Sequence, residues 1–148
     1  MEEGIMWQFE QSIEAKVSAE AVWQLYSDVR TWPSWDKGIE AVELHGPFEV
    51  GTEGVLTPAG QGPLPFRVVE VTPQRGFVDE TEVPGGVLRF IHKLLPLDGG
   101  VTQITHRVEI DGPAADDLGP QVGPQITAGI PETMDSLARH ALASASQA

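Results

Sequence analysis

The stretch from Arg89 to Ile110, RFIHKLLPLDGGVTQITHRVEI, alternates apolar and polar side chains on both sides of a Leu-Asp-Gly-Gly turn signal. Alternation with a period of two marks a half-buried strand, and two such runs across a short Gly-rich link make an antiparallel hairpin. With Asp98 and Gly99 at the tip, opposed residues have numbers summing to about 198. His92 then faces His106, Phe90 faces Val108, Leu88 faces Ile110 and Leu94 faces Ile104, all on one side. The other side carries Arg89, Lys93, Gln103, Thr105, Arg107 and Glu109, a solvated surface. A slip of one residue would exchange the two faces, so the pattern itself holds the register. Two imidazoles are therefore expected on the apolar inner face.

The preceding run, GFVDETEVPGGVL, turns back at its glycines. A turn at Gly85-Gly86 places Asp79 opposite His92 and Thr81 opposite Phe90, and makes Asp79, His92 and His106 a row across three strands. A three-residue turn instead places Val78 opposite His92 and sends Asp79 outside.

Around this hairpin the order of elements is legible. MWQFEQSIEAKV alternates as a first strand, with Trp7, Phe9, Gln11 and Ile13 on one face. Ser18 is the expected N-cap of a helix over AEAVWQLYSDV, with Glu20 in its first turn. TWPSWDKG reads as a second short helix capped by Thr31, with Pro33 in the first turn and Gly38 at its end. From Ile39 to about Gly112, turn signals punctuate six strand-like runs, which with the first make seven. Short connections imply an antiparallel meander. Beyond it Leu118, Val122, Ile126, Ile130, Met134, Leu137 and Ala141 form one helical stripe, interrupted by Pro124 and Pro131. That pattern predicts one kinked helix, or two shorter ones. Only this element is long enough to cover the concave face of a bent sheet.

Composition narrows the function classes. The chain of 148 residues is long enough for one domain with one core. Its 22 acidic against 9 basic side chains repel phosphate backbones and anionic membranes, which argues against nucleic acid and membrane partners. With no cysteine there is no disulfide, thiolate or Cys-type zinc chemistry. The acidic start MEEGIM does not read as a signal peptide, no run approaches a membrane span, and a cytoplasmic location is expected. No phosphate-binding loop and no Gly-x-Ser-x-Gly motif is present, so no nucleotide or other cofactor is expected.

VSAEAVWQLYSDVRTWPSWDKGIEAVEL, followed by GPFEVGTEG, resembles the N-terminal half of polyketide cyclase/dehydratase-like proteins of the START-like (SRPBCC, helix-grip) superfamily, which includes birch-pollen-allergen-type proteins. The Trp32 and Trp35 pair, the Gly51-Thr52 step and the DGP before a Pro-interrupted helix carry the resemblance over about residues 6–145. It implies a single α+β domain of helix-grip fold. A seven-stranded curved antiparallel sheet wraps a long kinked C-terminal helix, with two short helices after the first strand. It also implies a deep apolar pocket for a lipid, polyketide, quinone or similar molecule, in proteins that are binders, transporters, cyclases or dehydratases. Such a range of activities cannot be decided by fold.

Three roles stand open for the histidines. They are polar core residues bonded to each other or to backbone, groups that orient an apolar ligand, or acid–base catalysts polarised by Asp79. His92, His106 and Asp79 are the candidate catalytic residues. A metal triad from the same three has no supporting short-range spacing, so no metal is expected. The candidate pocket wall comprises Trp23, Tyr26, Trp35, Phe66, Thr81, Leu88, Phe90, Ile104, Val108, Ile126, Ile130 and Met134. Arg67 joins them as an anion anchor if it points inward beside Val69 and Val71. If Phe66 and Val68 point inward instead, Arg67 is solvated, and alternation alone does not choose. The expected partner is a small hydrophobic molecule, with a cyclase or dehydratase or a protein adaptor as alternatives. Oligomeric state is not readable from these residues.

Overall fold

The computed structural model describes residues 7–146; the acidic start lies outside them. Seven strands form one antiparallel sheet in the order β1-β7-β6-β5-β4-β3-β2. They are β1 (Trp7–Ala15), β2 (Ile39–Leu44), β3 (Glu53–Pro58), β4 (Leu64–Thr72), β5 (Gly76–Val83), β6 (Gly86–Pro96) and β7 (Thr102–Asp111). The meander from β2 to β7 follows from the short turns, and β1 closes on β7 with Gln11 opposite His106.

Two short helices follow β1. Helix α1 (Ala19–Ser27) is capped as its sequence predicts, the Ala21 amide donating to Ser18 Oγ at 3.1 Å. Helix α2 (Trp32–Trp35) departs from expectation at its cap. Thr31 caps no backbone amide of the first turn; its single hydroxyl hydrogen is shared between the carbonyls of Leu25 and Asp28, both at 2.8 Å. The hydroxyl ties α2 to the end of α1 instead.

The C-terminal helix runs over 30 residues and bends by 40°. Its halves are α3 (Ala115–Thr127) and α4 (Ile130–Ser146), with the break at Ala128-Gly129 and Pro131 in the first turn of α4. A proline amide has no helical partner in the first turn, so Pro131 begins the second half without cost. Helix α3 lies on β1 and β7, and α4 packs against α1, α2, β1 and β7. The close approach of α3 comes from Gly119 and Gly123, which accept the Trp7 ring where a Cβ atom at either position would collide with it.

The core occupies one end of this arrangement. Val22, Tyr26, Trp32, Trp35, Phe66, Val68, Phe77, Leu94, Ile104, Met134 and Leu137 pack as one cluster. On the convex face a ladder of alternating charge crosses the sheet. Glu80 and Glu109 flank Arg89 at 2.8 and 2.9 Å, Arg67 lies 3.9 Å from Glu80, and Arg107 bridges Glu109 and Glu10.

Candidate functional site on the concave face

The β6–β7 hairpin has the expected register, with His92 opposite His106 and Phe90, Leu88 and Leu94 opposite Val108, Ile110 and Ile104. The two imidazole rings meet edge to face with centroids 4.8 Å apart. The β5–β6 turn lies one residue earlier than a turn at Gly85-Gly86, which shifts each β5 residue's partner on β6 by two. Val83 pairs with Gly86, so the turn residues are Pro84 and Gly85, the latter at φ 80°. Proline presets the first central position of such a turn, and glycine tolerates the left-handed second position. A two-residue shift preserves parity. Asp79 and Thr81 therefore face inward, but Phe77 stands opposite His92 and Asp79 opposite Phe90. The straight row of three is replaced by a diagonal.

Each histidine is held in its own way. The His92 ring stacks on Phe77 at 4.0 Å and 7°, and its Nδ1 lies 3.3 Å from the Phe77 carbonyl oxygen. A carbonyl only accepts, so Nδ1 carries the proton and Nε2 of the neutral ring holds a lone pair. Burial, reinforced by the neighbouring His106, holds the His92 pKa well below its ordinary value. His106 Nε2 is 2.8 Å from the Tyr26 hydroxyl. Burial lowers the His106 pKa to about 4 and raises that of Tyr26, so both are neutral near pH 7.

Tyr26 reaches this position from α1 through an aromatic frame. Trp32 Nε1 donates to the Tyr26 carbonyl at 3.0 Å, and the phenol ring packs edge to face on Phe77 at 5.1 Å.

Asp79 is 6% exposed and Thr81 is 7% exposed. Among the described residues neither side chain finds a hydrogen-bond partner, unlike almost all buried polar groups. Burial first, and the charge of adjacent Glu80 second, raise the Asp79 pKa to about 8. Its carboxyl is predominantly protonated at neutral pH, a donor where an ordinary aspartate only accepts.

Accessibility across the sheet marks where space remains. On β7 the inner-face residues from Thr102 to Ile110 are all buried. On β6, whose two edges are both paired, inner-face Leu88, Phe90 and His92 keep partial accessibility. Ile126 and Ile130 of the C-terminal helix are likewise half-buried. Helix α3 rests on β1 and β7 rather than on β5 and β6. The least covered part of the concave face thus lies over β5 and β6, where half-buried Leu88, Phe90 and His92 adjoin buried Asp79 and Thr81.

The other expected wall residues divide. Trp35, Phe66, Ile104 and Met134 are consumed in the core, as is Tyr26 apart from its hydroxyl, and Val108 is 1% exposed. The Trp35 N–H is spent on Thr31 Oγ1 at 3.2 Å. Trp23 packs edge to face on Phe48 and Tyr26 at the margin of this cluster. Arg67 points outward. A bulge between Val68 and Glu70 puts Phe66 and Val68 inside before it and Val71 inside after it. Alternation from either end gave conflicting answers because the parity changes midway. Gln11, opposite His106 on the inner face, belongs with the site polar groups and was legible in the β1 alternation. Among the described residues no cluster of three or more His, Asp or Glu is arranged to hold a metal ion, and no helix is long and apolar enough to cross a membrane. A separate surface groove of about 420 Å³ is lined by residues including Ser27, Val42, Leu44 and Phe48, and contains none of the inner-face polar groups.

Residues 6–142 match the family described as polyketide cyclase/dehydrase and lipid transport. Among solved structures, norcoclaurine synthase from Thalictrum flavum is similar at 18% identity and TM-score 0.73, covering 94% of this chain and 88% of that one. Ara h 8.0201 is similar at 14% identity and TM-score 0.75, covering 94% and 99%. The di-domain ARO/CYC StfQ from the steffimycin biosynthetic pathway is similar at 11% identity and TM-score 0.78, covering 96% of this chain and 53% of that one. At such identities the likeness is one of fold. No curated protein sequence matches.

Proposed function

Because the chain belongs to the polyketide cyclase/dehydrase and lipid transport family, we propose that it binds one small hydrophobic or aromatic molecule in a chamber above β5 and β6. The carrying observation is the pairing of solvent-reachable apolar residues, Leu88 and Phe90, with polar groups that the protein leaves unspent. His92 Nε2 offers a lone pair, and Asp79 and Thr81 are buried without partners. Apolar walls with a few convergent polar groups are the composition of ligand pockets. Burying an aromatic ring of about 150 Å² contributes about 4 kcal/mol before ordering costs, so a few polar contacts suffice for micromolar affinity. Native mass spectrometry of freshly purified protein tests this directly. A reproducible small-molecule adduct that His92→Gln and Leu88→Trp both reduce is the expected result. An adduct that neither change affects places the ligand elsewhere.

A second reading rests on the protonation states. A neutral imidazole with its lone pair on Nε2 and a carboxyl that keeps its proton are a base and an acid on one face. In a β-hydroxy ketone, His92 Nε2 would take the proton from the carbon between carbonyl and carbinol. The C=C bond forms as the C–O bond breaks, and the Asp79 proton leaves with the hydroxyl as water. Turnover abolished in His92→Gln with binding retained supports this dehydration; affinity lost in parallel supports a binder.

A further inference from the structure

All nine Lys and Arg side chains are among the described residues, and none stands on the inner face. All are exposed except Arg89 and Arg107, which belong to the convex charge ladder. The chamber therefore has no cation of its own. It has one buried carboxyl, Asp79, with Phe90 opposite it on β6 and Thr81 two residues further along β5 on the same face. The titratable groups around it on this face, His92, His106 and Tyr26, are neutral; Glu80 projects from the opposite face.

Resting on the chamber proposed above, we propose that Asp79 selects ligands by charge: the site takes an aromatic amine as its ammonium ion and turns carboxylic acids away.

An ammonium entering beside Asp79 turns its carboxyl into a carboxylate counter-ion that no other group neutralises, donates its N–H groups to Asp79 and Thr81, and meets an aromatic face on Phe90. The carboxyl gives up its proton to solvent as the ammonium arrives, so the pair forms with release of a proton. A ligand carboxylate finds no cation, and only the neutral hydroxyls of Asp79 and Thr81 as donors. Two neutral donors offset only part of the hydration that a carboxylate loses. The formal charge of −13 acts in the same direction at long range, concentrating cations near the protein and repelling anions.

Three probes sharing one ring system separate the possibilities: 2-(1-naphthyl)ethylamine, 2-(1-naphthyl)ethanol and 1-naphthylacetate, titrated calorimetrically at pH 7. The amine should bind about tenfold tighter than the alcohol or better, and the carboxylate weakest. Titration in buffers of different ionisation enthalpy should find about one proton released with the amine and none with the alcohol. Asp79→Asn should abolish proton release and remove the preference for the amine over the alcohol, the two binding the variant with similar affinity. The ranking and proton count in the unaltered protein stand without the variant, should it not fold. Alcohol binding with no preference for the amine, or a carboxylate bound as tightly as the amine, overturns charge selection and leaves the chamber intact. Failure of all three probes to bind overturns the chamber as well.

Discussion

Tyr26 and His106, 80 residues apart in the chain, meet with the phenol oxygen 2.8 Å from Nε2. This contact joins α1 to the centre of the sheet, and both partners are buried. Losing the hydroxyl leaves a buried ring nitrogen unsatisfied, whereas losing both partners leaves apolar surfaces in contact. Tyr26→Phe should cost about 1–3 kcal/mol in urea unfolding. Adding His106→Leu to Tyr26→Phe should cost less than the sum of the single changes, giving a coupling of about 1 kcal/mol in the double-mutant cycle. Additive costs would deny the contact any energetic weight.

Stability should fall with pH just above neutrality. His106, held down at about 4, and His92, lowered by burial and by His106, are neutral in the fold but take protons when unfolded below about 6.5. The unfolded chain binds more protons there, so these groups make stability rise with pH up to that point. Asp79 has the opposite sign. It keeps its proton in the fold up to about 8 but loses it near 4 when unfolded, so its term falls as pH rises through that window. Between pH 6.5 and 8 the Asp79 contribution falls by about 2 kcal/mol while the two histidines, still half protonated in the unfolded chain at pH 6.5, add about 1 kcal/mol, for a net loss of about 1 kcal/mol. Asp79→Asn should instead gain slightly in stability over that interval. Urea midpoints at pH 6.5 and 8 read both, and equal slopes in the two proteins would refute the assignment.

Gly119 and Gly123 make the seat of Trp7 on α3. Alanine at either position gains helix propensity of about 1 kcal/mol but puts a methyl group into the indole ring. Overpacking of this kind typically costs about 1–3 kcal/mol, and Gly123→Ala should be destabilising on balance. Combining it with Trp7→Leu should recover part of the loss. A stabilised Gly123→Ala protein would mean that α3 does not sit this close to β1.

Arg89 tests the independence of the two faces. Its guanidinium bonds Glu80 and Glu109, and its side chain is 25% exposed. Arg89→Met leaves two carboxylates facing each other at a partly solvated site, for a cost of about 1 kcal/mol that should shrink in 1 M salt. Affinity for a chamber ligand should not change. A change of tenfold or more would connect the convex ladder to the concave site.

Alternation and turn chemistry were sufficient for much of this architecture. A period of two assigns faces without reference to the rest of the chain, so His92 and His106 could be placed opposite each other inside from their own hairpin. The helix begun by Ser18 is equally local, since its cap bonds within one turn. Asp79 was legible only as a choice. Its inward direction depends on an even-numbered turn, and its partner on whether that turn uses Pro84-Gly85 or the next pair.

Arg67 was undecidable because a bulge two residues later reverses the parity of β4, and no residue type there announces it. What only the folded chain decides is which polar groups are satisfied. Nothing near Tyr26 in sequence points to His106, nothing near His92 points to the Phe77 carbonyl, and nothing near Asp79 says that no cation will come. Local order follows from dihedral preferences and side-chain period, which act over a few residues. Hydrogen-bond satisfaction and protonation follow from burial among distant segments, and that is set by how the helices close over the sheet.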